Sequence, residues 1–230
     1  AWPEGTDQKM LMDEAAEQVI HGESLGFHSA WLAEHHFSRY GIGSSPLVVA
    51  GAIAAQTKTI RLGTAVLIPP LHNPIRLAED TATVDVISNG RLDVGFGRGS
   101  AAYEFNAYSI DQTDNRAMFQ EGIQTITDLW TTPDYSHDGK YYKVDHATLV
   151  PSPIQKPHPP IYIAVSRTIE TLKFVAGTGY PICIGVTSDT ENALSLCKQY
   201  EELSQESGHN VPMSEIPFFR YFYVGETERS

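Results

Sequence analysis

An acid and two imidazoles stand side by side at the end of a short apolar run. The run covers residues 30–33 (AWLA), and Glu34, His35 and His36 follow it directly. A continuous apolar run between two helical patterns is typical of a parallel strand that is buried on both faces. Ligands bind at the carboxyl ends of such strands in α/β folds. This position therefore predicts chemistry at the three side chains.

Side chains alternate along a strand, so Glu34 and His36 are predicted on one side of the chain and His35 on the other. One imidazole would then face a pocket while the other lies in its wall. An imidazole that titrates near neutrality suits acid/base catalysis. Two alternatives stay open: structural hydrogen-bonded histidines, and a metal site with His72 and Asp93 as further ligands. No metal-binding spacing such as HExxH is present, so no metal is predicted.

The composition narrows the class of partner. The 230 residues include 28 acidic and 16 basic side chains, and the net charge of −12 disfavours nucleic acid or an anionic membrane as a partner. The two cysteines form no CxxC motif, and no secretory segment stands near the start. No apolar run approaches the roughly 20 residues that cross a bilayer. These features predict a cytoplasmic protein that binds no membrane.

Helical and strand patterns alternate along the chain at intervals of roughly 30 residues, which predicts right-handed βαβ units in a parallel sheet. Besides the run before Glu34, strands are predicted at 60–67, 91–96, 161–165, 181–185 and 218–224. Helices are predicted at 10–25, 47–57, 75–87, 114–130, 166–177 and 191–207. The Tyr- and Pro-rich excursion at 131–160 contains Asp138–Gly139, a turn signal that predicts a β-hairpin.

Six predicted strands are too few to close an eight-stranded barrel. The chain begins on a helix and stops after a strand. We therefore expect one (β/α) barrel domain over residues 1–230 that lacks a first strand at one end and the last strand and helices at the other. A compact open sheet is the alternative architecture.

A second candidate site is an arginine between two glycines. Arg98 follows the predicted strand 91–96, and the surrounding glycines do not match the dinucleotide motif GxGxxG. Glycines at this place instead let a ligand approach the backbone closely. Arg116, near the start of the next long helix, is a second cation that could bind the same phosphate. In the alternative interpretation Arg98 pairs with Glu104 or Asp111.

A later strand-to-helix junction adds hydroxyl groups. Ser166, Arg167, Thr168 and Thr171 lie there, where free backbone N–H groups and the helix dipole attract an anion. Together with the two arginines they predict a phosphate site on the same rim as His35. The alternative is helix capping, which would need only one of the hydroxyls.

Several segments, taken in order, resemble the bacterial luciferase-like monooxygenase family of flavin-dependent enzymes. They are WLAEHHF, KTIRLGTAVL, LHNPIRLAED, SNGRLDVGFGRG followed by YEF, DNRAMF, HDGKYY and PSPIQKPHPPIYIA. Their order and spacing cover essentially the whole chain. The resemblance implies a (β/α)8 TIM barrel whose first strand, last strand and last helices are absent from this chain.

The resemblance also implies residue roles. His35 matches the family's catalytic histidine, which serves the proton transfers of oxygenation, with Glu34 and His36 orienting it. Ala65 and Val66 match the place where a non-prolyl cis peptide contacts the flavin ring.

The two arginines match phosphate-binding arginines of the family, and two departures accompany them. Ser166 stands where luciferase has an acid, and Gly97 stands where luciferase has a cysteine before Arg98. Light emission is therefore not expected from this protein.

The function implied by the resemblance is that of an FMN-dependent monooxygenase. It would take reduced FMN from a separate NAD(P)H-dependent flavin reductase and use O2 to oxygenate a small apolar organic substrate. A homodimer is also implied. Two alternatives remain: a deazaflavin-dependent oxidoreductase that transfers hydride without oxygen, and a non-catalytic flavin-binding protein.

Overall fold

The computed structural model describes residues 4–165 and 168–222, and its contacts divide the chain into two compact units. The first unit ends at Ile161 and the second begins at Tyr162. Each unit contains parallel strands joined by helices, so the α/β class predicted from the sequence is confirmed.

The first unit contains three parallel strands and a hairpin. Its elements are α1 (Gln8–Ser24), β1 (Ser29–Leu32), α2 (Pro46–Ala54), β2 (Arg61–Thr64), α3 (Pro74–Ile87), β3 (Leu92–Phe96), α4 (Ala102–Ala107), α5 (Asn115–Thr131), β4 (Tyr135–Asp138) and β5 (Lys143–Ala147). β1 pairs with β2 and β2 with β3, both in parallel. β4 and β5 form the predicted antiparallel hairpin.

Side-chain caps fix where two of these helices begin. The Asp7 carboxylate accepts hydrogen bonds from backbone N–H groups in the first turn of α1. The Asn73 side chain accepts from the N–H of Ile75, and Pro74 occupies the first position of α3, where its missing N–H costs nothing. A short 3-10 helix over Pro69–Leu71 precedes this cap. The segment between β2 and α3 is thereby held in a defined conformation.

β2 and β3 form the buried centre of the first unit, but β1 does not. Leu62, Leu92, Val94 and Phe96 are completely buried. All four residues of β1 are half-buried, so the prediction that this strand is buried on both faces was wrong. The physical reason is that, within the described part of this unit, β1 has β2 as its one strand neighbour.

Two glycines allow the strands to pack closely. A Cβ atom at Gly63 would overlap the ring of Trp31, and one at Gly95 would overlap the carbonyl oxygen of Thr64. The hydroxyl of Thr64 also bonds the backbone of Gly95, accepting from its N–H at 2.9 Å. No other residue type fits these two places without moving the backbone or the ring.

The second unit repeats the strand–helix pattern. Its elements are β6 (Ile161–Val165, the first residue of which ends the first unit), α6 (Ile169–Thr178), β7 (Ile182–Ile184) and α7 (Thr190–Glu206). β6 and β7 are parallel. The strand predicted at 218–224 is reduced to a single parallel bridge between Phe218 and Ile184, and residues 219–222 form no strand. Residues 223 and 224 lie outside the described residues.

Two further differences from the sequence prediction concern the first unit. The strand predicted at 60–67 ends at Thr64, and a single bridge between Leu67 and Phe96 follows it. Helix α4 was not predicted, because a six-residue helix is too short to show helical periodicity. Within 4–165 and 168–222, no helix has the length and apolar character needed to cross a membrane.

Candidate functional site

Glu34 is the centre of a buried hydrogen-bonded cluster after β1. Its Oε1 lies 2.8 Å from Nε2 of His36 and 2.8 Å from Nε2 of His72. Its Oε2 accepts the backbone N–H of Ile68 at 3.1 Å. The Glu34 side chain is 0% exposed. Such a place tolerates a buried carboxylate because both of its oxygens accept hydrogen bonds.

The cluster favours the ionised form of Glu34. Burial raises the pKa of Glu34, but the hydrogen bond and charge of His72, together with the bonds from His36 and Ile68, outweigh burial. The net result is a pKa below the usual value of a glutamate. An ionised carboxylate only accepts hydrogen bonds, so both imidazoles must donate an Nε2–H to it.

His36 lies in the wall of the site. Its side chain is 5% exposed, and its backbone N–H donates to Oε1 of Glu104 at 2.9 Å. Its Nδ1 lies 3.2 Å from the hydroxyl of Tyr108, and the two rings meet edge to face. Both ring nitrogens of His36 are thus within hydrogen-bonding distance of a polar group.

His35 points to the other side of the chain, as the alternation along a strand predicted. Its side chain is 32% exposed, and Nδ1 lies 3.7 Å from Oε1 of Glu104. Its ring packs edge to face against the ring of Tyr40, with 4.6 Å between the ring centroids. Its backbone N–H donates to the carbonyl of Gly43 at 3.1 Å. One imidazole is therefore partly accessible while the other is enclosed.

Glu104 is a site residue that the sequence analysis missed in this role. It is 1% exposed, and the short helix α4 brings it to both His35 and His36. From the sequence, Glu104 is predicted only as an alternative partner of Arg98. The available signal was the YEF segment within the family resemblance, an acid between two aromatic residues.

The structure brings His72 to the site but not Asp93. The Asp93 carboxylate is bonded by Arg61, from Nε at 2.8 Å and from Nη2 at 2.6 Å. The ligand-type atoms of Glu34, His36 and His72 lie within 4.8 Å of one another, a spacing at which side chains can share a metal ion. The hydrogen bonds among them already account for that spacing. The absence of a metal stays a prediction.

The peptide bond between Ala65 and Val66 is cis, as the family resemblance implied. The N–H of Ala65 donates to the carbonyl of Leu32 at 2.7 Å, which places this peptide beside the end of β1. Val66 also lies over β3, because a Cβ atom at Gly95 would stand 3.5 Å from its Cγ1. The Ala65–Val66 bond and Glu34 therefore lie at the same edge of the parallel strands.

A hydrogen bond links the chain segments that contain Arg98 and Arg116. Arg98 follows β3, and Arg116 lies in the first turn of α5. The side-chain amide of Asn115 donates to the carbonyl of Gly99 at 3.3 Å. This bond joins the residue before Arg116 to the residue after Arg98.

The predicted hydroxyl groups belong to the second unit. Thr168 precedes α6, and its side chain makes no capping bond to the first turn, so the capping alternative fails for this residue. The hydroxyl of Thr171 is buried and has no hydrogen-bond partner among the described residues. Ser166 and Arg167 lie outside the described residues.

The whole chain is similar to known proteins of one family. Residues 2–230 match the family model described as luciferase-like monooxygenase. The oxygenase component of a flavin-dependent trigonelline monooxygenase from Acinetobacter baylyi is 30% identical over 223 residues, which are 96% of this chain and 61% of the relative. This chain spans 59–61% of the length of this relative and two further curated relatives that it matches.

Two solved structures show the same fold. Monooxygenase RslO1 from Streptomyces bottropensis has a TM-score of 0.89 and 29% identity, over 95% of this chain and 67% of that chain. The coenzyme F420 dependent tetrahydromethanopterin reductase from Methanopyrus kandleri has a TM-score of 0.74 and 22% identity, over 91% of this chain and 62% of that chain. The match of the family model over nearly the entire sequence establishes that the chain belongs to the luciferase-like monooxygenase family.

Proposed function

We propose that the protein is a flavin-dependent monooxygenase that uses reduced FMN and O2 to oxygenate a small apolar organic substrate. One oxygen atom enters the substrate and the other leaves as water, with reduced FMN as the electron donor. The observation that supports the proposal is that the Glu34 cluster and the Ala65–Val66 bond lie at one edge of the strands, with the partly exposed His35 next to Glu34 in the chain.

The residues of the first unit fit both ends of FMN. Ala65 and Val66 would lie against the flavin ring, since Val66 stands over a strand where a glycine replaces any side chain. Arg98 and Arg116 would bind the phosphate, which their linked neighbours support. Guanidinium groups suit this task because they bind phosphate in a bidentate manner.

A phosphate role for the second unit is also proposed. Thr168 and Thr171, with Ser166 and Arg167 before them, would bind an anion at the start of α6. The support is the hydroxyl of Thr171, a buried polar group without a described partner. Such groups in native structures call for an explanation, and a bound ligand is one.

His35 is the residue that we propose for proton transfer. Bound reduced FMN would supply the electrons that activate O2. Glu104 lies near Nδ1 of His35, which leaves Nε2 to exchange a proton with a bound molecule. Glu34 and His36 would orient the segment from behind, because both are buried and bonded to each other.

The protein is also proposed to work with a partner enzyme and as a dimer. The chain would form part of a (β/α)8 barrel in a cytoplasmic protein, and a separate NAD(P)H-dependent reductase would supply the reduced FMN. A related protein is named as an oxygenase component, which supports this division of labour. We also propose a homodimer through α2. All residues of this helix are apolar, and its Val48 is 69% exposed, so a second copy of the chain could cover that side chain. The mass measured by sedimentation equilibrium tests the dimer.

Oxygen dependence tests the proposed reaction. The protein would be supplied with reduced FMN and a panel of small apolar compounds, with 18O2 as the oxygen source. Incorporation of one 18O atom into a product supports a monooxygenase. Turnover that persists without oxygen would favour the deazaflavin-dependent alternative. Tight flavin binding without turnover of any compound would favour the non-catalytic alternative.

A further inference from the structure

Tyr108 connects a buried imidazole with the surface. It follows α4 directly, and its hydroxyl lies 3.2 Å from Nδ1 of His36. The ring centroids of Tyr108 and His36 are 5.3 Å apart, and the angle between the ring planes is 86°. His36 is 4% exposed, whereas Tyr108 is 41% exposed. The phenol therefore has one side on the buried cluster and another toward solvent.

The position of the protons on His36 follows from its partners. Nε2 must carry a proton, because it faces the ionised carboxylate of Glu34 at 2.8 Å. A neutral His36 then has a bare Nδ1, and the hydroxyl of Tyr108 must donate to it. Burial raises the pKa of Tyr108, and the charges of Glu34 and Glu104 raise it further. The phenol thus keeps the proton that this hydrogen bond requires.

We propose that Tyr108 is a positioning residue that fixes the ring orientation of His36 by donating to the Nδ1 that the Glu34-bound tautomer leaves bare. Through His36 it also holds the carboxylate of Glu34 in the orientation that reaches His72.

The groups that face this imidazole are few and come from separate elements. Glu34 contacts the imidazole from the segment after β1, and Tyr108 contacts it from the end of α4. Glu104, within α4, accepts the backbone N–H of His36. His72 shares the carboxylate of Glu34 from the segment before α3. A change at Tyr108 removes one hydroxyl and leaves the other three groups in place, which makes its effect on His36 specific.

The test is 15N nuclear magnetic resonance of the histidine rings in wild type, Tyr108→Phe and Tyr103→Phe. Tyr103 is a matched control, because it lies on α4, which Tyr108 directly follows, and its hydroxyl bonds the half-buried Ser38 at 3.2 Å, away from His36. In wild type we expect His36 with Nε2 protonated and Nδ1 hydrogen-bonded. Tyr108→Phe should shift the Nδ1 resonance toward that of an unbonded nitrogen, and Tyr103→Phe should leave it unchanged. An unchanged resonance in Tyr108→Phe would overturn the proposal.

Wild type alone also tests the proposal if Tyr108→Phe does not fold. A neutral His36 that carries its proton on Nδ1 would contradict it directly. The effect on turnover rests on the proposed function. In Tyr108→Phe kcat should fall about tenfold, which is the effect expected from the loss of one buried hydrogen bond, and the KM for reduced FMN should not change. The ring resonances do not depend on turnover. A shifted Nδ1 resonance with unchanged kcat would therefore count against the proposed function of the cluster and leave the assignment of Tyr108 as positioning residue intact.

Discussion

Glu34 and His36 are two residues apart in sequence, and their side chains meet in a 2.8 Å hydrogen bond on the buried side of the chain. The contact agrees with the strand pattern that predicted it, in which residues i and i+2 project to the same side. His35, between them, is left on the opposite side, where it is partly exposed. Three consecutive polar residues thus divide into a buried pair that gives rigidity and an accessible imidazole that can react.

Replacing Glu34 with Gln should destabilise the protein. One carboxylate oxygen accepts hydrogen bonds from two imidazoles, and the other accepts the N–H of Ile68. In Gln an NH2 group replaces one of these oxygens, and this donor would then face another donor without a hydrogen bond. We expect a loss of about 1–3 kcal/mol in the free energy of unfolding, measured with urea. Glu79→Gln, which removes an exposed partner of Arg76, is the control and should cost less than about 1 kcal/mol. Equal losses would show that the cluster does not stabilise the fold.

Replacing His35 with Ala should abolish oxygenation and leave FMN binding largely intact. The expected fall in rate is about 100- to 10,000-fold, the usual contribution of a positioned acid or base. Binding of reduced FMN and product formation should be measured on the same preparation. His146→Ala, in the hairpin and bonded to the exposed Asp134, is the matched control. Equal loss of binding and turnover in His35→Ala would make this histidine structural.

Replacing Gly95 with Ala should prevent normal folding. The new Cβ would overlap the carbonyl oxygen of Thr64, a backbone atom that cannot move without disturbing β2. We expect destabilisation of at least about 3 kcal/mol, at the upper end for an overpacked core. Gly177→Ala is the control, since nothing lies within 4 Å of its Cβ position in α6 and alanine favours a helix. A Gly95→Ala protein as stable as wild type would disprove the close approach.

Glu23 should make stability depend on pH in the acid range. Backbone N–H groups of Thr59, Ile60 and Lys58 bond its carboxylate and lower its pKa from 4.5 to about 2. A depressed folded-state pKa stabilises the fold above pH 4.5, and this contribution is lost as the pH falls toward about 2.

Glu23→Gln, which keeps an acceptor oxygen but removes the charge, should therefore be less stable than wild type at neutral pH. The difference in urea midpoint should shrink between pH 4.5 and about 2. Glu14→Gln, on an exposed part of α1, serves as the control. A difference for Glu23→Gln that stays constant over this range would contradict the assigned pKa.

Local patterns in the sequence were enough to predict the parallel strand–helix alternation and the two sides of the Glu34–His36 segment. Both depend on how often the side-chain direction repeats along the chain, which is every two residues in a strand and every 3.6 residues in a helix. The cis bond at Ala65–Val66 came from the family resemblance, because no local pattern specifies a non-prolyl cis peptide.

Features that depend on distant neighbours were not predictable in this way. The burial of β1 depends on which strands lie beside it, and Glu104 and Tyr108 reach the site on a helix of under two turns. The convergence of His72 on Glu34 joins residues 38 positions apart. No spacing rule within one element describes such a contact.

The central claim is that the arginines and the Ala65–Val66 surface bind reduced FMN. Its most direct test is an anaerobic titration of the purified protein with reduced FMN and, separately, with reduced riboflavin, followed by admission of oxygen. We expect FMN to bind at least about tenfold more tightly than riboflavin, because only FMN offers a phosphate to Arg98 and Arg116. Arg98→Met should remove this preference, while Arg76→Met, on the exposed face of α3, should keep it. No binding, or equal affinity for the two flavins in wild type, would contradict the account.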